Sequence, residues 1–138
     1  IASLRAMPGV KVYRPADATE TAECWALALA DAHAPSVLAL SRQGLPAVRK
    51  EYTKENRCAR GAYVLKDGGK DVTLIATGSE VEIALAAQTK LQEKGIAARV
   101  VSMPCWELFA AQPKSYQEEV LGAGLRVAIE AGIGFGWE

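Results

Sequence analysis

The chain is poor in the residues on which most recognisable chemistry depends. It has one histidine, His33, and three cysteines, Cys24, Cys58 and Cys105, among 138 residues. The cysteine number is odd and no pair stands at C-x-x-C spacing, which argues against a zinc centre built within the chain. The plain reading is free thiols in a reducing compartment, the cytoplasm. An excess of charge is also missing: 16 basic residues balance 16 acidic ones. With no cluster of four or more Lys or Arg, no field is set up for nucleic acid or an anionic membrane, and neither is expected as a partner. There is no apolar run long enough to span a bilayer and no signal-peptide pattern at the start. No nucleophile–base pair stands out.

What remains is ordinary globular composition, 50% hydrophobic and 23% charged, in a length typical of one domain, enough to bury roughly two-thirds of the unfolded surface. The ends are unusual. The opening IASLRAM reads as the tail of a helix, and Trp137-Glu138 follows directly on a glycine-rich turn. The expectation is a piece of a longer polypeptide.

Along the chain, Pro8-Gly9 stops the first helix, and VKVYR at 10–14 reads as a short strand closed by Pro15. Asp17 and Glu20 have capping-box spacing and open a helix running to about Ala32, with Trp25, Leu29 and Ala32 recurring at helical intervals. A buried strand at 36–40 follows, giving a strand–helix–strand unit of the kind that makes parallel sheets. Residues 44–60, GLPAVRKEYTKENRCAR, are charged and aperiodic and read as a solvated linker.

The pattern then restarts. AYVLK at 62–66 and DVTLIAT at 71–77 flank an Asp67-Gly68-Gly69 turn and read as a hairpin. Ser79 and Glu82 form a second capping box, opening a helix that ends at Gly95 with Val81, Leu85 and Leu91 inward. ARVVSM at 98–103 and LRVAIEA at 125–131 are further strands, separated by a helical turn at 106–111 and a third capping box, Ser115 to Glu118. The fold class is therefore α/β: two successive partial parallel or mixed sheets with flanking helices.

Candidate sites are few. In SVLALSRQGLP at 36–46, an apolar strand ends in Ser41-Arg42-Gln43 before Gly44 and Pro46 break it. That places the Arg42 guanidinium at the carboxyl end of a strand, where open α/β sheets bind ligands, and its fixed donors suit a phosphate or carboxylate. From the residues alone a structural ion pair is the more economical role, and an anion contact the alternative. Thr77-Gly78-Ser79 sits at a strand-to-helix turn that could cradle an anion, but Glu80 and Glu82 oppose one and Ser79 reads as a helix cap. Gly132, Gly134 and Gly136 have G-x-G-x-G spacing, which lacks the dinucleotide fingerprint, and read as a flexible turn. Glu130 ends a strand with no visible partner for acid–base work, so a structural or interface role is favoured. His33 is a helix-end histidine favoured by the dipole.

Several motifs in register change the balance. LALSRQGLP at 38–46, GAYVLKD at 61–67, TGSEVEIAL at 77–85, ARVVSMP at 98–104 and VAIEAG at 127–132, with ASLR at 2–5 and YRPAD at 13–17, together resemble the transketolase family. The resemblance implies the thiamine-diphosphate-enzyme fold. Residues 1–45 would be the back part of the pyrimidine-binding domain, 46–60 the interdomain linker, and 61–138 the front part of the Rossmann-like C-terminal domain. It also implies transfer of a two-carbon ketol unit between ketose and aldose phosphates, with thiamine diphosphate as electron sink and a divalent cation, Mg or Ca.

The family's arginine of the Ser-Arg-Gln motif binds the sugar phosphate, and that role carries onto Arg42. No catalytic, cofactor or metal residue carries over: the family's cofactor-binding motifs match nothing in this sequence. The family is homodimeric, so a homodimer is implied for the intact enzyme, and a fragment this short is expected to be inactive alone. The alternatives are a Rossmann-like binding module using 77–79 for a nucleotide, a dimerisation piece, or a relative of the dihydroxyacetone-synthase type.

Overall fold

The computed structural model describes residues 1–137 and contains two sheets. The first is a parallel pair of β1 (Lys11–Tyr13) and β2 (Ser36–Leu38), joined through helix α2 (Ala18–Ala30); a short helix α1 (Ala2–Arg5) precedes it. The second has four strands in the order β3-β5-β4-β6: β3 (Tyr63–Lys66), β4 (Val72–Ala76), β5 (Ala98–Ser102) and β6 (Leu125–Ile129). Helix α3 (Glu80–Glu93) crosses from β4 to β5, and α4 (Trp106–Ala110) and α5 (Lys114–Leu121) cross from β5 to β6.

The expected hairpin between the third and fourth strands does not form. β3 pairs antiparallel with β5, and β4 lies between β5 and β6, parallel to both. Composition explains the choice: every residue of β4 is buried, which demands the centre of the sheet with a strand on each side. β3 is half-exposed and ends in Lys66, which suits an edge.

The helix termini also depart from the expected pattern. Asp17 does cap α2, accepting from the Glu20 backbone N–H at 2.8 Å, but the Glu20 carboxylate reaches back to the Ala16 N–H at 2.7 Å. Ser79 makes no side-chain cap; its φ and ψ are already helical, so Oγ turns away from the free N–H groups toward Glu80. Ser115 lies inside α5, whose N-cap is Pro113. The α2 periodicity is inverted: the helix buries Glu20 and Cys24 and exposes Trp25 and Leu29.

The connection 46–60 is mostly exposed, as expected of a solvated linker, but it is anchored at Val48 and Arg49. Asp17 Oδ2 accepts from the backbone N–H groups of Val48 and Arg49, each at 3.0 Å, and the Arg49 side chain is 3% exposed against Glu23 at 2.7 Å. Burial disfavours the Arg49 charge, but the Glu23 carboxylate outweighs it and raises its pKa. The segment ends in a 3₁₀ turn, Arg57–Arg60, closed by Gly61 at φ +79°. A Cβ there would collide with the backbone of Cys105 and Leu108–Phe109. Gly61→Ala is therefore expected to cost about 2–3 kcal/mol, from left-handed strain plus displaced backbone, read as a lower urea midpoint; an unchanged midpoint would refute the close approach.

The two halves share one interior. Tyr13 bridges to Cys105, the Arg14 N–H donates to Pro104 O at 2.8 Å, and the Gly78 N–H donates to Arg14 O at 3.0 Å. Tyr13, Cys24, Cys58, Tyr63 and Cys105 form one buried cluster across the junction. All three thiols are free and buried. The hydrogen bond that the Cys58 thiol makes to Cys24, then burial, pushes the Cys58 thiol up, and burial pushes Cys105 up to about 12. Neither is a nucleophile at neutral pH.

Candidate functional site at the end of the parallel pair

β2 is shorter and less buried than its sequence suggests, because among the described residues β1 is its only strand neighbour. The chain leaves it through the Ala39 N–H, which donates to Tyr13 O at 2.9 Å, and then turns at Ser41, whose Oγ accepts from the Gln43 N–H at 3.2 Å. Arg42 lies in that turn, past the carboxyl end of β2, and is exposed. Among the described residues it has no salt bridge and no side-chain hydrogen bond, so the structural ion pair that was the economical reading is not formed.

A cleft of about 180 Å³ adjoins the turn. Arg14, Pro15 and Ala39–Ser41 line it from one half of the chain, and Gly78 and Ser79 from the other. Gly78 and Ser79, from the strand-to-helix turn, therefore share a cleft with Ser41, the residue before Arg42. Glu80, in the first turn of α3, is paired there with Arg14: its Oε2 meets Arg14 Nη2 at 3.1 Å.

Glu130 finds the partners its sequence position concealed. Its carboxylate accepts from Arg5 Nη1 at 2.8 and 3.0 Å, from Arg14 Nη1 at 2.6 Å and from the Trp137 indole N–H at 2.7 Å. Burial alone would raise its pKa, but the bonds from Arg5, Trp137 and Arg14 prevail and hold it below the usual glutamate value. Arg5 also stacks on Trp106, 3.6 Å from the ring centroid, and Trp106 meets Trp137 edge to face. The glycine turn at 132–136 is thus tied down by Trp137. No local spacing announces this cluster: Arg14 is separated from Glu80 by 66 positions and from Glu130 by 116. The nearest signal was an acid at the end of an apolar strand.

His33 lies in the turn after α2 and is exposed, its backbone N–H held by Asp31. Among the described residues no three His, Cys, Asp or Glu side chains converge where a metal ion could sit, and no helix is long and apolar enough to cross a membrane.

Comparison with known proteins accounts for both halves. The transketolase pyrimidine-binding domain matches residues 1–48, and the transketolase-like C-terminal domain matches residues 61–138. The chain belongs to the transketolase family. A transketolase of Sinorhizobium medicae is 57% identical over the whole chain, which spans 20% of that protein. Among solved structures, the transketolase of Leishmania mexicana superposes with a TM-score of 0.88 at 43% identity, over 99% of this chain and 20% of that one. The Pichia stipitis transketolase in complex with sedoheptulose-7-phosphate gives 0.90 at 37% identity, over 99% and 20%. The chain therefore spans about a fifth of the length of the transketolases it matches.

Proposed function

We propose that this chain serves as part of a transketolase that moves a two-carbon ketol unit from a ketose phosphate to an aldose phosphate, and that Arg42 anchors a sugar phosphate. Two transketolase domain matches in tandem, at 57% identity to a full-length relative, carry the reading of the enzyme. The exposed, unpaired guanidinium past the end of β2 supports the role of Arg42. A charged donor fork there meets a dianionic phosphate with short, strong hydrogen bonds. Binding energy from a group remote from the reacting carbon can then orient the substrate.

Residues 1–45 would form the back of the pyrimidine-binding domain, 46–60 the connection, and 61–138 the front of the C-terminal domain. Thiamine diphosphate with a divalent cation would supply the carbanion chemistry of the whole enzyme. The side chains described here offer no metal cluster, and none is assigned to either group. By itself the chain would be inactive. The intact enzyme would be a cytoplasmic homodimer acting on phosphorylated sugars.

In a full-length transketolase carrying this segment, Arg42→Ala is expected to raise KM for phosphorylated sugars roughly 10- to 150-fold, the equivalent of about 1.5–3 kcal/mol for a charged hydrogen bond. Steady-state kinetics with donor and acceptor varied in turn would show it. Unchanged KM for both would remove Arg42 from the phosphate subsite.

A further inference from the structure

The exit of β2 toward Arg42 is held by Tyr13, and the C-terminal half holds the next residue, Arg14, from three sides. Its backbone N–H and C=O are taken by Pro104 and Gly78. Its side chain, 13% exposed, lies between Glu80 at 3.1 Å and Glu130 at 2.6 Å. Gly78 packs so closely that a Cβ there would sit 3.1 Å from Arg14 Nη2. One residue before Arg14, Tyr13 O accepts from the Ala39 N–H, fixing the exit of β2. Ser41 and Ser79 both line the small cleft beside the Arg42 turn. The path from the carboxylates to the Arg42 turn is continuous: Glu80 and Glu130, Arg14, the end of β1, Ala39, Ser41.

We propose that Glu80 and Glu130, acting through Arg14, are positioning residues that set where the Arg42 guanidinium stands, so that the C-terminal half tunes the phosphate subsite without touching substrate. The inference rests on the reading of Arg42 as the phosphate anchor. Misplacing a binding group by about an ångström is enough to weaken it strongly. Glu80 is the better probe, because Arg14 keeps Glu130 when Glu80 loses its charge, and the cluster is not left with an arginine lacking any carboxylate.

The test is Glu80→Gln in full-length holoenzyme, alone and combined with Arg42→Ala, assayed with a phosphorylated aldose acceptor and with a short unphosphorylated one. Glu80→Gln is expected to raise KM for the phosphorylated acceptor roughly three- to tenfold, leave kcat within about twofold, and leave KM for the unphosphorylated acceptor unchanged. In the Arg42→Ala background it should add nothing, because the two act on one contact. Glu80→Asp, which keeps the charge, should recover part of the loss, and it replaces Glu80→Gln should that variant fail to fold. A rise in KM for both acceptors alike, effects that add to those of Arg42→Ala, or no effect at all would overturn the proposal and leave Glu80 a purely structural partner. If Arg42→Ala itself spares the phosphorylated acceptor, the anchor reading fails and the inference falls with it. If Arg42→Ala weakens binding and Glu80→Gln does not, the inference fails alone.

Discussion

Glu130→Ala is expected to lower folding stability by about 3–5 kcal/mol, the cost of removing one partner from a buried ion cluster. The Glu130 side chain is 6% exposed and Arg5 4% exposed. Arg14 would keep Glu80, but Arg5 would keep only the face of Trp106 as a partner for its charge. Arg5 Nε already lacks an acceptor, so the variant leaves a buried cation with nothing to balance it. Equilibrium urea unfolding would read the loss as a lower midpoint at unchanged slope. The compensating change is informative: Arg5→Met in the Glu130→Ala background should recover a large part of the loss, since an apolar pair in place of a buried ion pair is often neutral. A loss under about 1 kcal/mol for Glu130→Ala would mean that water reaches the cluster and screens it. The pH dependence has a definite sign. Because the folded pKa of Glu130 is lowered, its contribution is present above the unfolded value near 4.5 and disappears as pH falls through the folded value.

The same cluster shows what a single sequence can and cannot reveal. Strand–helix–strand order and the placement of Arg42 beyond a strand were legible because they rest on local periodicity and on proline and glycine punctuation. Partner choice was not. The Asp67-Gly68-Gly69 turn suggests a hairpin, yet β3 crosses to β5 because β4 is buried on both faces and takes the centre. The capping box at Ser79 failed because Ser79 already has helical φ and ψ, while its neighbour Glu80 pairs with Arg14, a residue remote in sequence. Trp25 and Leu29 carried a helical repeat that pointed to a core, but in this chain they lie at the surface, while Glu20 on the same helix is fully buried. An amphipathic pattern shows which residues share a face and not which face is covered.

Glu20→Ala is expected to cost about 3–5 kcal/mol, because three donors lose one acceptor inside the protein and each buried orphan costs about 1–3 kcal/mol. Glu20 Oε1 accepts from the Tyr63 hydroxyl and the Ser102 hydroxyl, both at 2.6 Å, and Oε2 from the Ala16 N–H. It therefore ties α2 of the first half to β3 and β5 of the second. Burial raises the Glu20 pKa, and the hydrogen bonds from Ser102, Tyr63 and Ala16 only partly oppose it. Burial, then the neighbouring Glu20 charge, also pushes the Tyr63 hydroxyl up, so Tyr63 stays a donor. For a carboxylate raised in the folded state the native form binds more protons than the unfolded chain. Its contribution is then fully present below the unfolded value near 4.5 and is lost as pH rises through the folded value, opposite in sign to Glu130. Glu20→Gln isolates that part. The amide is neutral at every pH, it can accept from Ala16 and donate to the two hydroxyls, and it removes the proton-linked slope. Its deficit relative to the native chain should therefore shrink as pH rises from 4 to 7, measured as paired urea midpoints across that range. A deficit that grows with pH instead would show that the ionised carboxylate is stabilised in the core, and that the three hydrogen bonds outweigh its burial.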